Sequence, residues 1–319
     1  MAMEMPSNEI MLKLYRQLLT ARRGEQRVFE IVGPAIVPTG HRGVGEEVVP
    51  IAICNNLTET DCFHLNFRTA FCFFAKPGIT LEDVIGMNLG RLPGEHPWFS
   101  PKRGTLGSSG TLGEPAVIYL GAALANAIQK TGDVTVFVQG DGASNRAPTH
   151  EAMAVAAAWQ LPIVFVIQNN QYGMGTSVHK SYAIEDLSLR GIGYGFPSDR
   201  VDGNDMIAMY QMAKKHIERV RNGGGPSLIA ADTYRLGAHY EGDQQIYRPK
   251  GEVEEWRRTK DPLPRYQKQL LEMEITTQAE MDRLEEEVAE EIEAAIVKVQ
   301  SLPRTTLARP PIETAIDGI

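Results

Sequence analysis

Cysteine is scarce: three in 319 residues, at Cys54, Cys62 and Cys72. They form no Cys-x-x-Cys and no cluster with histidine, which removes a disulfide scaffold and a thiolate zinc site from consideration. Buried thiols in a reducing compartment, by default the cytoplasm, are expected instead. Long apolar runs are also missing, and none approaches the ~20 residues that a bilayer-spanning helix needs. The opening MAMEMPSNEI has neither the charged head nor the apolar centre of an export signal, so none is expected. Basic charge is in deficit, with 32 lysines and arginines against 40 acidic residues and a net charge of −8. That balance offers no footprint for nucleic acid and no lysine stripe for a membrane surface. No internal repeat is present.

What is there reads as a soluble globular chain, 43% hydrophobic and 23% charged. Its length suits one large α/β domain or two smaller ones. Residues 8–30 set Ile10, Leu14, Leu18 and Ala21 on one helical stripe. VVPIAICNNL (48–57) reads as a buried helix closing in a turn, before a short apolar patch at 62–67. TLEDVIGMNLG (80–90) has an N-cap threonine and a closing glycine. Residues 91–113 are rich in Gly, Pro and Ser and predict a long loop, of a length that is usually functional or disordered.

From there the pattern alternates. A helix over 115–129, a strand at 134–138, a helix over 147–158 and a strand at 162–168 lead to a helix over 204–222 and a strand at 227–234. Alternation of this kind predicts a mostly parallel sheet with helices on both faces. Thr277 and Glu280 form a capping box that starts an acidic helix running to about Gln300. Leu284, Val288, Ile292 and Ile296 make its buried stripe, and its glutamates are expected to form only a solvated face.

Two turns carry chemistry. GDGASN (140–145) follows the strand VTVFV, and QNNQYGMG follows PIVFVIQ, with Asn170 twenty-nine positions after Asp141. One βαβ unit fills that interval, so both residues emerge at the carboxyl edge of the sheet, where open α/β folds bind ligands. Gly140 and Gly142 let the backbone turn tightly around a bulky anion. An Asp oxygen, an Asn carbonyl and a main-chain carbonyl are hard ligands suited to magnesium; no sulfur or imidazole is near in sequence to favour zinc. A lone Gly-Asp-Gly is ordinarily just a turn. GDGASN also departs from the Gly-x-Gly-x-x-Gly of nicotinamide sites, because asparagine takes the last glycine's place. The paired occurrence at one-βαβ spacing points to a magnesium-bridged diphosphate.

The stretch GDGASNRAPTHEAMAVAAAWQLPIVFVIQNNQYGMGTSV resembles the alpha subunit of the decarboxylating component of 2-oxoacid dehydrogenases. That family is shared by pyruvate, branched-chain 2-oxoacid and acetoin enzymes. MLKLYRQLLTARRGEQRVFE, RVDGND, TYRLGAHYEGDQQIYRP and EVEEWRRTKDPLPR extend the resemblance over nearly the whole chain. It implies a thiamine diphosphate-binding fold as a single domain over 1–319, with thiamine diphosphate and Mg2+ as cofactors. Asp141, Asn170 and the carbonyl of Tyr172 match the metal ligands, and Gly140, Gly142 and Ala143 match the diphosphate turn. Phe67 and Arg68 stand at a Tyr-Arg pair, the arginine being expected to fork onto the diphosphate. Gly110 and Leu112 match the segment that braces the aminopyrimidine. His239 matches a histidine close to cofactor and substrate, and His41 another near the substrate entrance. For either histidine the alternative is a packing residue.

The departures from the family pattern concern the substrate. Ala70 replaces a histidine two places after the loop arginine, and Tyr240 replaces a serine after the loop histidine. The Gly-Gly-Ser-Met-His stretch expected near 102–107 is missing. HYEGD is closer to acetoin-type members. The resemblance implies cleavage next to a carbonyl in a 2-oxoacid or hydroxy-ketone, with transfer of the acyl or aldehyde unit to lipoamide. It also implies a beta subunit supplying an activating glutamate in an α2β2 assembly, with docking on a lipoyl-bearing acyltransferase. A carboligase that never uses lipoamide and a non-catalytic cofactor-binding scaffold are the alternatives.

Overall fold

In the computed structural model, residues 4–33 and 40–305 are described. Five strands form the centre: β1 (Cys62–His64), β2 (Thr135–Gly140), β3 (Ile163–Asn169), β4 (Ser198–Asp202) and β5 (Ser227–Asp232). Their spatial order is β1-β2-β3-β5-β4, and every neighbouring pair is parallel. Successive side chains point to opposite faces of a sheet, so a strand buried on both sides must be apolar throughout. IVFVI meets that demand, and VTVFV meets it apart from Thr135. Val136, Val138, Val164 and Val166 join one core, while Phe137, Ile163, Phe165 and Ile167 join the other.

Helices close both faces. The first core takes α1 (Asn8–Val32), α2 (Val48–Cys54) and α3 (Leu81–Leu89). The second takes α4 (Pro115–Gln129) and α5 (Ala147–Trp159), through Tyr119, Ala123, Ala152, Met153 and Ala156. On the first face, α6 (Met206–Arg221) and α7 (Gln278–Gln300) complete the cover with Met209, Ile217, Val288 and Ile292. The predicted Thr277–Glu280 capping pair forms at α7, and the predicted N-cap Thr80 goes further by forming a capping box with Asp83 at α3. Gly90 closes α3 at φ 66°, in the left-handed region where glycine costs least.

The differences from the sequence reading have physical causes. The apolar patch at 62–67 divides into edge strand β1 and a tight 3-10 turn, Phe67–Ala75. Asn66 starts that turn by accepting the N–H groups of Arg68 and Thr69. The sequence reading passed over helix Glu252–Lys260, which buries no residue and so shows no apolar stripe, and strand β4, where only Val201 is buried. The 91–113 loop contains a small hairpin, Phe99–Ser100 with Thr105–Leu106. Gly104 turns it at φ 70°, where a Cβ would meet the Asp61 carbonyl at 2.1 Å. Cys62 is half-buried rather than buried.

The glutamates of α7 do more than face solvent. Glu287 and Glu291 hold Arg16 of α1, and Glu285 and Glu293 hold Arg23 and Arg27. These pairs are about half exposed, so each contributes little, roughly 0–1 kcal/mol. The apolar interior dominates. Phe165 is fully buried, stacked on Phe196 at 6.2 Å and edge-on to Phe137 at 6.4 Å. Phe165→Ala is expected to lower unfolding stability by about 3–5 kcal/mol, and Arg27→Ala by under about 1 kcal/mol. Urea denaturation of both variants checks the ranking.

Candidate active site

The carboxyl ends of β1, β2 and β3 border an open cleft enclosing about 680 Å³, solvent-facing space included. Phe67, Arg68, Leu112, Gly140, Asp141, Gly142, Ala143, Asn170, Tyr172 and His239 all line it. Gly110 does not: it is exposed, and a Cβ there would meet nothing within 4 Å. The brace expected from that segment falls to Leu112, Gly113 and Pro115 instead. His41 stands outside this cleft in a neighbouring cavity that encloses about 830 Å³, solvent-facing space included. Its ring is 4.7 Å from Phe67 and 4.9 Å from His239, so it forms part of the wall between the two spaces.

Two glycines bring the turns together. A Cβ on Gly142 would lie 3.2 Å from the Gly173 Cα, and one on Gly173 would lie 3.3 Å from the Gly142 Cα. The acid turn and the Asn170–Gly173 turn therefore touch through bare backbone. Asp141 is 1% exposed, and its Oδ2 has no hydrogen-bond partner. Burial pushes its carboxyl up to about 6. Asn170 donates its Nδ2–H to Glu46 at 2.9 Å, which turns its Oδ1 toward the turn, where that oxygen accepts the Tyr172 N–H at 3.2 Å. The Tyr172 carbonyl accepts from Arg235 at 3.3 Å.

Arg68 departs from its expected pose. Its Nη1 donates to the Arg42 and Ala238 carbonyls at 3.1 and 3.3 Å, and its Nη2 donates to the carbonyl and Nδ1 of His239 at 3.1 and 3.0 Å. Its Nε lies 3.4 Å from Glu46. The fork thus ties down the His239 loop, and an anion must exchange with those acceptors to engage it. A guanidinium can only donate, so His239 Nδ1 is the acceptor and its proton sits on Nε2. Burial, with Arg68 and Arg235 adding to it, lowers His239 to about 4. The ring is therefore a neutral Nε2–H donor at pH 7.

Several residues of the site were not singled out from the sequence. Glu46, Arg235 and Arg248 were present in quoted stretches or beside them, yet nothing local marked them. Arg235 is fully buried, lies 5.8 Å from the Tyr172 ring, and is lowered to about 10 by burial and then by Arg68 and Arg248. Arg248 donates to the Arg235 carbonyl at 2.7 Å. Glu46, 1% exposed, is raised to about 7 by burial, against the pull of Arg68. His64, Ser108 and Gln139 also line the cleft.

Among the described residues no group of three or more His, Cys, Asp or Glu could hold a metal ion. The expected ligand set contains one carboxylate and two carbonyls, so it does not belong to that class. Its fit rests on chemistry: a buried, unpartnered Asp141 oxygen beside an oriented amide carbonyl suits a hard cation.

A parallel α/β sheet with an acid turn and an amide turn at one carboxyl edge defines a ligand-binding α/β protein of the open-sheet class. Residues 15–308 match the model of the dehydrogenase E1 component family, and the chain belongs to that family. It is 34% identical to the alpha subunit of acetoin:2,6-dichlorophenolindophenol oxidoreductase from Bacillus subtilis (strain 168), covering 91% of this chain and 89% of that protein. The Cupriavidus necator protein of the same name is 33% identical, over 93% and 91%. The pyruvate dehydrogenase E1 component subunit alpha of Acholeplasma laidlawii is 32% identical, over 92% and 84%.

Glu25 lines the neighbouring cavity, 7% exposed, and accepts the Gly43 N–H at 2.9 and 3.1 Å. Burial, helped by Glu47, outweighs that N–H and the arginines Arg22 and Arg42, raising it from 4.5 to about 8. A raised carboxyl favours the folded state while protonated in both states. Its contribution is complete below about 4.5 and is lost as pH climbs to about 8. Thermal melts of wild type and Glu25→Gln are expected to diverge across that window. The wild type should lose stability relative to the variant by at most ~1.4 kcal/mol per pH unit. Parallel pH profiles would contradict the assignment.

Proposed function

We propose that the chain is the alpha subunit of a heteromeric thiamine diphosphate-dependent dehydrogenase acting on an acetoin-like hydroxy-ketone. The observation that carries this reading is the buried, unpartnered Asp141 oxygen, brought against the Asn170–Gly173 turn by the Gly142–Gly173 contact. Asp141, Asn170 and the Tyr172 carbonyl would hold Mg2+, and the Gly140–Ala143 backbone would cradle the diphosphate. Thiamine diphosphate, when bound, supplies an acidic carbon able to add to a carbonyl and an electron sink for the bond that breaks. This chain's residues do the rest on their side of the site. His239 offers its Nε2–H to a substrate oxygen, and Arg68 holds that loop in place.

Substrate preference follows from the neighbouring cavity. Ala70 lines it with Phe67, Phe71, Met87 and Trp98, where a histidine in relatives would add a polar group. Glu25 in the same cavity keeps its proton at neutral pH. Arg68, His41, Asn88 and His96 line the same cavity, so the preference rests on the loss of a histidine at Ala70 and on a neutral Glu25, which take partners away from a carboxylate and favour a neutral ketone. The acetoin enzymes among the relatives support the same direction. The chain is read as a single domain paired with a beta subunit in an α2β2 assembly, since its relatives are named as alpha subunits. The beta subunit supplies the activating glutamate. A lipoyl-bearing acyltransferase takes the acyl or aldehyde unit, and the assembly works in the cytoplasm.

Asp141→Ala is expected to abolish binding of thiamine diphosphate and Mg2+ while the far-ultraviolet circular dichroism stays that of wild type. Calorimetric titration of the folded variant checks it, and unchanged affinity would remove the site. Kinetics of the chain reconstituted with its beta-type partner decide the substrate. kcat/KM is expected to be higher for acetoin than for pyruvate, and the reverse order would restore a pyruvate enzyme.

A further inference from the structure

The turn that carries Asn170 and Tyr172 is strained. Gln171 and Met174 both lie in the left-handed region, at φ 74° and 57°, where a side chain crowds its own backbone. Such conformations persist where the surrounding structure holds them. The holds on this turn converge on one side chain. From 171 to 177 only Tyr172 is buried, while Met174, Gly175 and Thr176 are exposed.

The far end of Tyr172 is held by a helix that buries no residue of its own. Helix Glu252–Lys260 starts at Gly251, at φ 81° and with no side-chain cap. It rests on the protein through Val253 and Trp256, which pack against the cluster of Tyr172, Tyr234 and Leu236. Trp256 stacks on Tyr234 at 4.6 Å and 9°, and Tyr234 meets Tyr172 edge-on at 6.3 Å. Glu252 then accepts the Tyr172 hydroxyl, at 3.1 and 2.9 Å from its two oxygens. An acid in the first turn of a helix complements the positive end of the dipole and needs no partner for that. The Glu255 carboxylate, in the same turn, pairs with Arg258 at the surface, whereas Glu252 reaches inward. At the main-chain end of Tyr172, Arg235 donates to the carbonyls of Tyr172 and Met174 at 3.3 and 3.0 Å.

We propose that Glu252 is a positioning residue: by holding the Tyr172 hydroxyl it fixes the strained turn, and with it the direction of the Tyr172 carbonyl. Without that anchor the turn relaxes from its left-handed geometry and the carbonyl swings. The inference rests on the reading of that carbonyl as a Mg2+ ligand and adds a residue 80 positions along the chain that acts through it.

The test measures the metal concentration that half-saturates thiamine diphosphate binding, by calorimetry on the chain purified with its partner, once with Mg2+ and once with Ca2+. Tyr172→Phe keeps the ring and loses only the hydroxyl. It and Glu252→Ala are each expected to raise the Mg2+ requirement about tenfold, the lower end of the cost of removing a partner of a metal ligand. The double variant is expected to need no more Mg2+ than either single one, because all three lack the same bond. Glu252→Gln, whose side-chain carbonyl still accepts, is expected to recover most of the loss, and Glu255→Ala to match wild type. Mg2+ demands near-ideal octahedral geometry and Ca2+ accepts irregular shells, so the Ca2+ requirement is expected to stay close to wild type. Equal losses for both ions mean a merely structural role and overturn the inference. Additive losses in the double variant overturn it too. So does an unchanged Mg2+ requirement in Tyr172→Phe, which carries the test should Glu252→Ala fail to fold. A wild-type protein that binds no thiamine diphosphate with Mg2+ overturns the proposed function, and this inference with it.

Discussion

Burying carboxyl groups at the open edge of a parallel sheet is the constraint on which the rest of the site depends. Asp141 and Glu46 are each 1% exposed, and removing such groups from water costs several kcal/mol unless charge or hydrogen bonds answer them. Glu46 has Arg68 and the Asn170 amide. Asp141 has less: it keeps one oxygen unpartnered, and its carboxyl is displaced upward. Arg68 and Arg235 in turn need acceptors, and they find them in the carbonyls of 42, 172, 174, 238 and 239. The cleft floor is thus a network of buried charge held by main chain drawn from several elements.

That network also explains why the histidines act as neutral groups. His239 receives Arg68, and His64 donates to Val138, so each ring has one nitrogen committed and the other defined by difference. At opposite ends of the cleft the two rings therefore present opposite characters. His239 faces it with an N–H, whereas His64 Nε2 accepts from the Ser108 hydroxyl. One edge of the fold in this way presents the buried Asp141 carboxyl, a donor and an acceptor, with neither His239 nor His64 changing charge near pH 7.

Legibility in the sequence followed burial pattern in most elements, helix Pro262–Glu272 with its buried Leu263, Tyr266 and Leu270 being an exception. Strands β2 and β3 were plain because burial on both faces forces unbroken apolar runs, and α3 and α7 were plain because their caps are local. Asp141 and Asn170 were legible because one βαβ unit of ordinary length separates the two turns, and the Tyr172 carbonyl was implied only by the family resemblance. Helix Glu252–Lys260 and strand Ser198–Asp202 bury almost nothing and so carried no periodic signal. The glutamates of α7 looked solvated because their partners, Arg16, Arg23 and Arg27, stand more than 250 positions away in the chain.

The sequence by itself determined the sheet class, the acid and amide turns, and the direction in which both face. Those features depend on residue period, glycine placement and spacing, all of which are local. Tertiary structure alone decided that Gly110 stays outside the cleft and that His41 belongs to the adjoining cavity. It also decided that Arg68 points to the His239 loop, that His64 and Gln139 meet the same space, and that Glu46 backs it through Asn170 and Arg68. These outcomes turn on which buried donor finds which acceptor across 26 to 171 positions of chain, and such choices are made only when the core packs.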